Sequence, residues 1–324
     1  MQTRNLRTLP VVLGFGSSCV LLGARYVVGP TLSRPLLARY RGTRYWVLLM
    51  ASLQSEIERL ATLGEVERDP QARATFLRFR DELTAGKIRA AEKVDGRWRV
   101  NAWVKQGILL GFRLGALSEM GDAALSFVDK DTFPARQFKV SDRVRVVPGG
   151  SSVRLGAYVA PSVICMPPMF INVGAYVDEG TMVDSHALVG SCAQVGKRVH
   201  LSAAAQIGGV LEPINAAPVV IEDDVLVGGN CGVYEGTLVR ARAVLGAGTI
   251  LTRSTPLYDL VRGATYRATE ENGLAVPEGA VVVPGSRSVK KGPADWNLSL
   301  YTPVIVKYRD EKTDEGAELE EWLR

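Results

Sequence analysis

The chain has 324 residues, 47% hydrophobic and 23% charged, enough apolar sequence to bury one large core or two smaller ones and too much for a disordered chain. Its 33 glycines and 16 prolines exclude a collagenous or low-complexity sequence. The formal net charge of +5 comes from one end: residues 1–49 hold seven arginines (Arg4, Arg7, Arg25, Arg34, Arg39, Arg41, Arg44) and no Asp, Glu or Lys, which leaves −2 over residues 50–324. The body of the chain therefore has no nucleic-acid-binding charge, and no nucleic-acid partner is expected.

Between Arg7 and Arg25 the stretch TLPVVLGFGSSCVLLGA is uncharged. Three readings fit it: a short membrane anchor, a secretory signal, or upstream sequence read in frame with the working start at Met50. The third is favoured, because no small-x-small cleavage site follows and acidic residues begin only after Met50. From residue 50 the spacing predicts two helices, one on Leu53, Ile57, Leu60 and Leu63 and one on Phe76, Phe79 and Leu83. Pro70 separates them and Gly86 ends the second. In AEKVDGRWRVNAWVKQGILLGFRL, Asp95-Gly96 signals a hairpin between strand-like stretches, with Leu109, Leu110 and Phe112 as core.

The middle of the chain is a repeat. An aliphatic residue returns every sixth position at Val153, Val159, Cys165 (the small exception), Ile171, Val177, Val183, Val189, Val195, Leu201 and Ile207. The series resumes at Ile221, Val227, Val233, Val239, Leu245, Leu251 and Leu257 after an eight-residue insertion around Glu212–Pro218, which reads as a protruding loop. Four residues after each aliphatic stands a mostly small residue, such as Ala157, Ala175, Ala187, Ala205 and Ala243. Period six fits neither a helix nor simple strand alternation. It fits a coil with three flat faces per turn, each sending one aliphatic residue inward and satisfying its backbone against the next turn. After Leu257 the rhythm breaks; residues 276–286 read as a last coil turn, 299–310 as a strand and 315–324 as a terminal helix. The expected organisation is an N-terminal extension outside the fold (1–49), a small α+β module (50–145), a parallel β-helix (146–285) and a C-terminal extension (286–324).

The hexads resemble those of the hexapeptide-repeat acyltransferases, which implies a mainly β chain, a left-handed parallel β-helix and a homotrimer. The stretches AEKVDGRWRVNAWVKQGILLGFRL, INVGAYVDEGTMVD, IGGVLEPINAAPVVIEDD and SLYTPVIVKY are similar to the tetrahydrodipicolinate N-succinyltransferases, over roughly residues 86–310. That resemblance implies an acyl-CoA-dependent cytoplasmic enzyme of lysine and diaminopimelate biosynthesis. Its small-molecule partners are succinyl-CoA, a co-substrate rather than a bound cofactor, and tetrahydrodipicolinate; no membrane partner is expected for residues 50–324. It gives Arg145, in VRVVP, a substrate-binding role and Asp184, in EGTMVD, a catalytic and substrate-binding role at the acceptor amine.

The chemistry suits both residues. A guanidinium grips a carboxylate of a dicarboxylate, and a carboxylate orients an attacking amine and accepts its proton. Gly208 and Gly209 are the expected acyl-CoA-side pair, offering a backbone N–H to the thioester oxyanion. One departure bears on the donor: the family commonly has glutamate where this chain has Gly232, and acetyl-transferring relatives have a small residue there. Acetyl-CoA is therefore the rival donor, with Glu235 open as a substitute or a solvated residue. A rival of another class is a non-catalytic β-helix scaffold, which needs none of Arg145, Asp184 or the Glu212 loop. The only histidines are His186 and His200. Either is a candidate base or a plain surface residue, and two fall short of a three-histidine zinc set, so no metal is expected. Cys192 and Cys231 read as inert thiols, and Asp178 and Glu179 as added negative charge beside Asp184.

Overall fold

The structure, a computed structural model, describes residues 52–121, 126–269, 273–289, 293 and 296–310. The readings of residues 1–49 and of a helix at 315–324 lie outside these. The period of six becomes a run of two-residue strands, from Ser152–Val153 through Ile250–Leu251, each ending on the aliphatic residue of its hexad. Successive strands fall on three different sheets, and each pairs in parallel with the strand three hexads on. Tyr176 thus lies between Tyr158 and Gln194, Met182 between Ile164 and His200, and Leu188 between Phe170 and Gln206. The insertion leaves this register intact, since Gln194 pairs with Val220 and His200 with Leu226 across it.

The aliphatic residues point inward and form one continuous core; Val177, Val183, Val189, Val195, Leu201 and Ile207 are fully buried. The small residues four positions on lie beside them, also buried. A side chain at the corner leaves little room, which is why Ala, Thr, Cys and Val recur there. Most corners turn on one left-handed residue, the third after the inward aliphatic: Gly156, Ser162, Gly174, Gly180, His186, Cys192, Arg198, Ala204, Asp224, Asn230, Arg242 and Gly248 all have positive φ, while the corner after Val233 has two such residues, Glu235 and Gly236. The coil is thus closed by backbone conformation at its corners and by burial along its axis.

The three faces have different neighbours. Outward residues Tyr158, Tyr176, Gln194 and Val220 belong to one six-stranded sheet, here the covered face. The helix at 52–61 (α1), α2 (Ala72–Thr84), α3 (Ala102–Leu114) and the hairpin β1 (Ala91–Val94) and β2 (Arg97–Val100) form the N-terminal module that packs against it. Asp95 and Gly96 both take positive φ, as the hairpin signal requires. The Arg89 guanidinium lies 3.6 Å from the Tyr176 ring centroid and donates to Gln194 Oε1 at 2.9 Å. Glu222, nearly buried, accepts from Lys93 Nζ at 2.8 Å, Trp98 Nε1 at 2.9 Å and the Ala241 N–H at 3.1 Å. Burial raises the Glu222 carboxyl, but these donors outweigh it and hold the group below the usual carboxylate range.

The segment after the hairpin is a helix, α3; Gly107 and Gly111 lower its propensity but let the rings of Phe79 and Phe76 lie against its backbone, where a Cβ would come within 2.5 and 2.3 Å. Two expectations are corrected. Of the expected core of α3, Leu110 is buried and Leu109 and Phe112 are half-buried. Leu257 is buried but leaves the coil: Val276, not Leu257, stacks on Val239, while Leu257–Asp259 pairs with Ala264–Tyr266 and with the strand Ser299–Tyr308. The strands Arg145–Val146 and Ala280–Ser288 run from the coil into the flanking segments. The latter strand closes the coil as a long antiparallel hairpin with Ser299–Tyr308. No helix among the described residues is long and apolar enough to cross a membrane.

Candidate functional site

The other two faces carry the sequence-predicted residues. The ten-stranded sheet presents outward Arg145, Ile164, Met182, His200, Leu226 and Val244 in one ladder. Arg145 is exposed at the first rung. Asp184 follows the strand Met182–Val183, at the corner leading to the third face. Two strand spacings, about 10 Å, separate the rungs of Arg145 and Met182.

Asp184 is held from both sides. Its backbone N–H donates to the Leu201 carbonyl at 2.9 Å, and its Oδ1 accepts from the Ser185 N–H at 2.6 Å. Oδ2 faces His200 Nε2 at 4.0 Å, with the carboxylate side chain 30% exposed and the imidazole 13%. Both histidines of the chain therefore border Asp184, but differently. His186 is an exposed corner residue at φ +62, its N–H donating to the Pro168 carbonyl. His200 projects from the strand His200–Leu201 of the next coil, between Met182 and Leu226. Sequence reading left the two undistinguished. The signal was present, because three hexads per coil set residue 200 on residue 182 and so beside residue 184.

Gly208 and Gly209 stand at a different corner, where the insertion leaves the third face. The N–H of Gly208 donates to the Val233 carbonyl at 2.8 Å, so this amide is held in the ladder and is not open to an oxyanion. Close packing explains both glycines, since a Cβ would meet Tyr234 Cδ1 at 2.7 Å from position 208 and the Ser191 nitrogen at 2.6 Å from position 209. Gly232 has a neighbour in the same ring: its Cβ would lie 2.5 Å from Tyr234 Cε2 and 2.9 Å from the phenol oxygen. The side-chain space of residue 232 is filled by Tyr234. Glu235 is exposed and accepts from the Arg253 N–H at 2.8 Å.

The loop from the insertion stands out at Glu212, Pro213 and Asn215, which are exposed. Its inner side is tied down by Lys105, a fully buried residue of α3 whose amine donates to the Ala216 carbonyl at 2.6 Å. Burial lowers the amine from the ordinary lysine range. Asp178 and Glu179 belong to the preceding corner, where Asp178 Oδ1 accepts from the Glu179 N–H and Glu179 pairs with Lys197; they do not flank Asp184. Cys165 and Cys192 are buried, and burial pushes both thiols up to about 12; Cys231 is raised by the same cause. These are not nucleophiles at neutral pH. Among the described residues no three His, Cys, Asp or Glu side chains gather to hold a metal.

A coil of parallel hexads stacked three to a turn is the architecture of the hexapeptide-repeat acyltransferases, a left-handed parallel β-helix class. Residues 218–253 match the hexapeptide repeat of succinyl-transferase and residues 52–114 the tetrahydrodipicolinate N-succinyltransferase N-terminal domain. Curated relatives named 2,3,4,5-tetrahydropyridine-2,6-dicarboxylate N-succinyltransferase align along most of their length. That of Dechloromonas aromatica is 40% identical over 85% of this chain and 98% of its own. Those of Acinetobacter baylyi and Aromatoleum aromaticum are 43% and 45% identical, each over 75% of this chain and 86% of their own. The chain belongs to the tetrahydrodipicolinate N-succinyltransferase family.

Proposed function

We propose that this chain transfers the succinyl group of succinyl-CoA to the amino group of tetrahydrodipicolinate, in lysine and diaminopimelate biosynthesis. The observation that carries this reading is the 40% identity along 85% of the chain to an enzyme bearing that name. The ring nitrogen of tetrahydrodipicolinate is an imine, so water first adds across its C=N bond to give an amine; that nitrogen attacks the thioester carbonyl carbon, the C–S bond breaks, and the CoA thiolate takes up the proton that the amine loses. Asp184 orients the amine and takes its proton; with Oδ1 tied to the Ser185 amide, Oδ2 is the oxygen turned to the acceptor. Arg145 binds an acceptor carboxylate, and the separation of about 10 Å between the rungs is within reach of a seven-carbon dicarboxylate and an extended arginine.

The Gly209 N–H is the proposed oxyanion donor. Gly209 and Asp184 stand on different corners of adjacent turns, with a whole face between them, so the complete site needs a second copy of the chain; a homotrimer supplies it at each cleft. The donor is succinyl-CoA rather than acetyl-CoA: the relatives are named succinyltransferases, and Gly232 is not vacant space open to the donor, since Tyr234 fills it. No permanently bound cofactor is required. The proposed compartment is the cytoplasm.

Mass analysis of the product tests the reading. Incubation with succinyl-CoA and tetrahydrodipicolinate is expected to yield the hydrated acceptor carrying one succinyl group and an equal amount of free CoA. Release of free succinate with an unmodified acceptor would contradict it.

A further inference from the structure

His200 is the one imidazole fixed against the reaction corner. Its backbone N–H donates to the Val225 carbonyl at 3.0 Å and its strand is paired on both sides, so ring placement is set by the ladder and by Met182 and Leu226 on either side. The ring is largely buried, yet its Nε2 faces Asp184 Oδ2 at 4.0 Å. That gap is one bridging water, or a small side-chain rotation, from a hydrogen bond, and separations of this kind close when substrate excludes solvent. The other carboxylate oxygen is already tied to the Ser185 amide at 2.6 Å. An imidazole N–H on Oδ2 completes the restraint: with a donor at each oxygen the carboxylate plane can no longer turn, and one lone pair of Oδ2 stays aimed at the corner.

We propose that His200 is a positioning residue that acts through Asp184, fixing the orientation in which that carboxylate receives the acceptor amine. The inference rests on the role given to Asp184 above. It distinguishes the two histidines: His186 serves the left-handed corner, His200 the reaction.

A double-mutant cycle on the full chain tests it. His200→Leu is expected to lower kcat about 10–100-fold with the acceptor KM within about twofold, and His200→Gln, which keeps a neutral N–H near Nε2, to recover most of the loss. In an Asp184→Asn background His200→Leu is expected to cost nothing further. Equal losses with and without Asp184, or a His200→Leu enzyme at the wild-type rate, would overturn the proposal. A His200→Gln enzyme as slow as His200→Leu would also overturn it, because a donor at that position would then not matter. An Asp184→Asn enzyme at full rate would instead refute the underlying assignment of Asp184. Unchanged melting of each variant separates these results from loss of fold.

Discussion

The covered face and the corner at Asp184 are built from the same hexads and put polar side chains to opposite uses. On the covered face Gln194 is fully buried and Glu222 nearly so, and each is matched by a donor from the N-terminal module. At the corner Asp184 and His200 keep part of their surface open and stand 4.0 Å apart, without the close contact of the seam. The coil geometry is indifferent to what its outward positions carry. Whatever packs over a face decides whether a charge there becomes a structural tie or stays available to a ligand.

That contrast can be broken from either side. The largest effect is expected at the corner: Asp184→Asn should lower kcat by about 10²- to 10⁴-fold, the range of a lost positioned acid–base group, with the melting temperature unchanged. Rates and calorimetry on one preparation check both halves. On the covered face Glu222→Ala strands Lys93, Trp98 and the Ala241 amide, and should lower stability by about 2–3 kcal/mol in denaturant melts while leaving kcat alone.

The same carboxylate carries a pH signature. Its folded pKa lies below the unfolded value, so its contribution is fully present above the ordinary glutamate range and is lost as pH falls through the depressed folded value. Glu222→Gln should flatten the acid side of the stability curve, measured as melting temperature from neutral pH downward. Arg145→Ala should raise the acceptor KM about 10- to 100-fold, as expected for one lost charged hydrogen bond, with a smaller effect on kcat. The smallest effect is expected where a corner glycine meets the module. Gly174→Ala puts a Cβ at φ +77, 2.7 Å from Ile108 Cδ1, and should cost about 1–3 kcal/mol in a thermal melt.

The coil was legible because its rule is local and repeated. One inward aliphatic per hexad, a small residue four positions on and three hexads per turn are enough to stack Met182 on Ile164 and under His200. The insertion at Glu212–Pro218 was legible as the only interruption of the count before Leu251. The N-terminal module has no such redundancy. In α3 the glycines at 107 and 111 weaken the helical signal that the apolar spacing carries, and the reason for them, the rings of Phe79 and Phe76, comes from another helix. Leu257 shows the limit of the count itself: it keeps the period and its burial but not its partner, because the chain has already turned out of the coil. At the candidate site, the placement of His200 beside Asp184 was legible from the register of three hexads per turn. The engagement of the Gly208 amide was not, since it depends on which carbonyl the coil stacks beneath it.

The most direct test is the rate of CoA release by the full chain with tetrahydrodipicolinate, succinyl-CoA against acetyl-CoA, each with and without the acceptor. The account predicts acceptor-dependent release with a strong preference for the succinyl donor. Faster release from acetyl-CoA, or release from succinyl-CoA that ignores the acceptor, would contradict it.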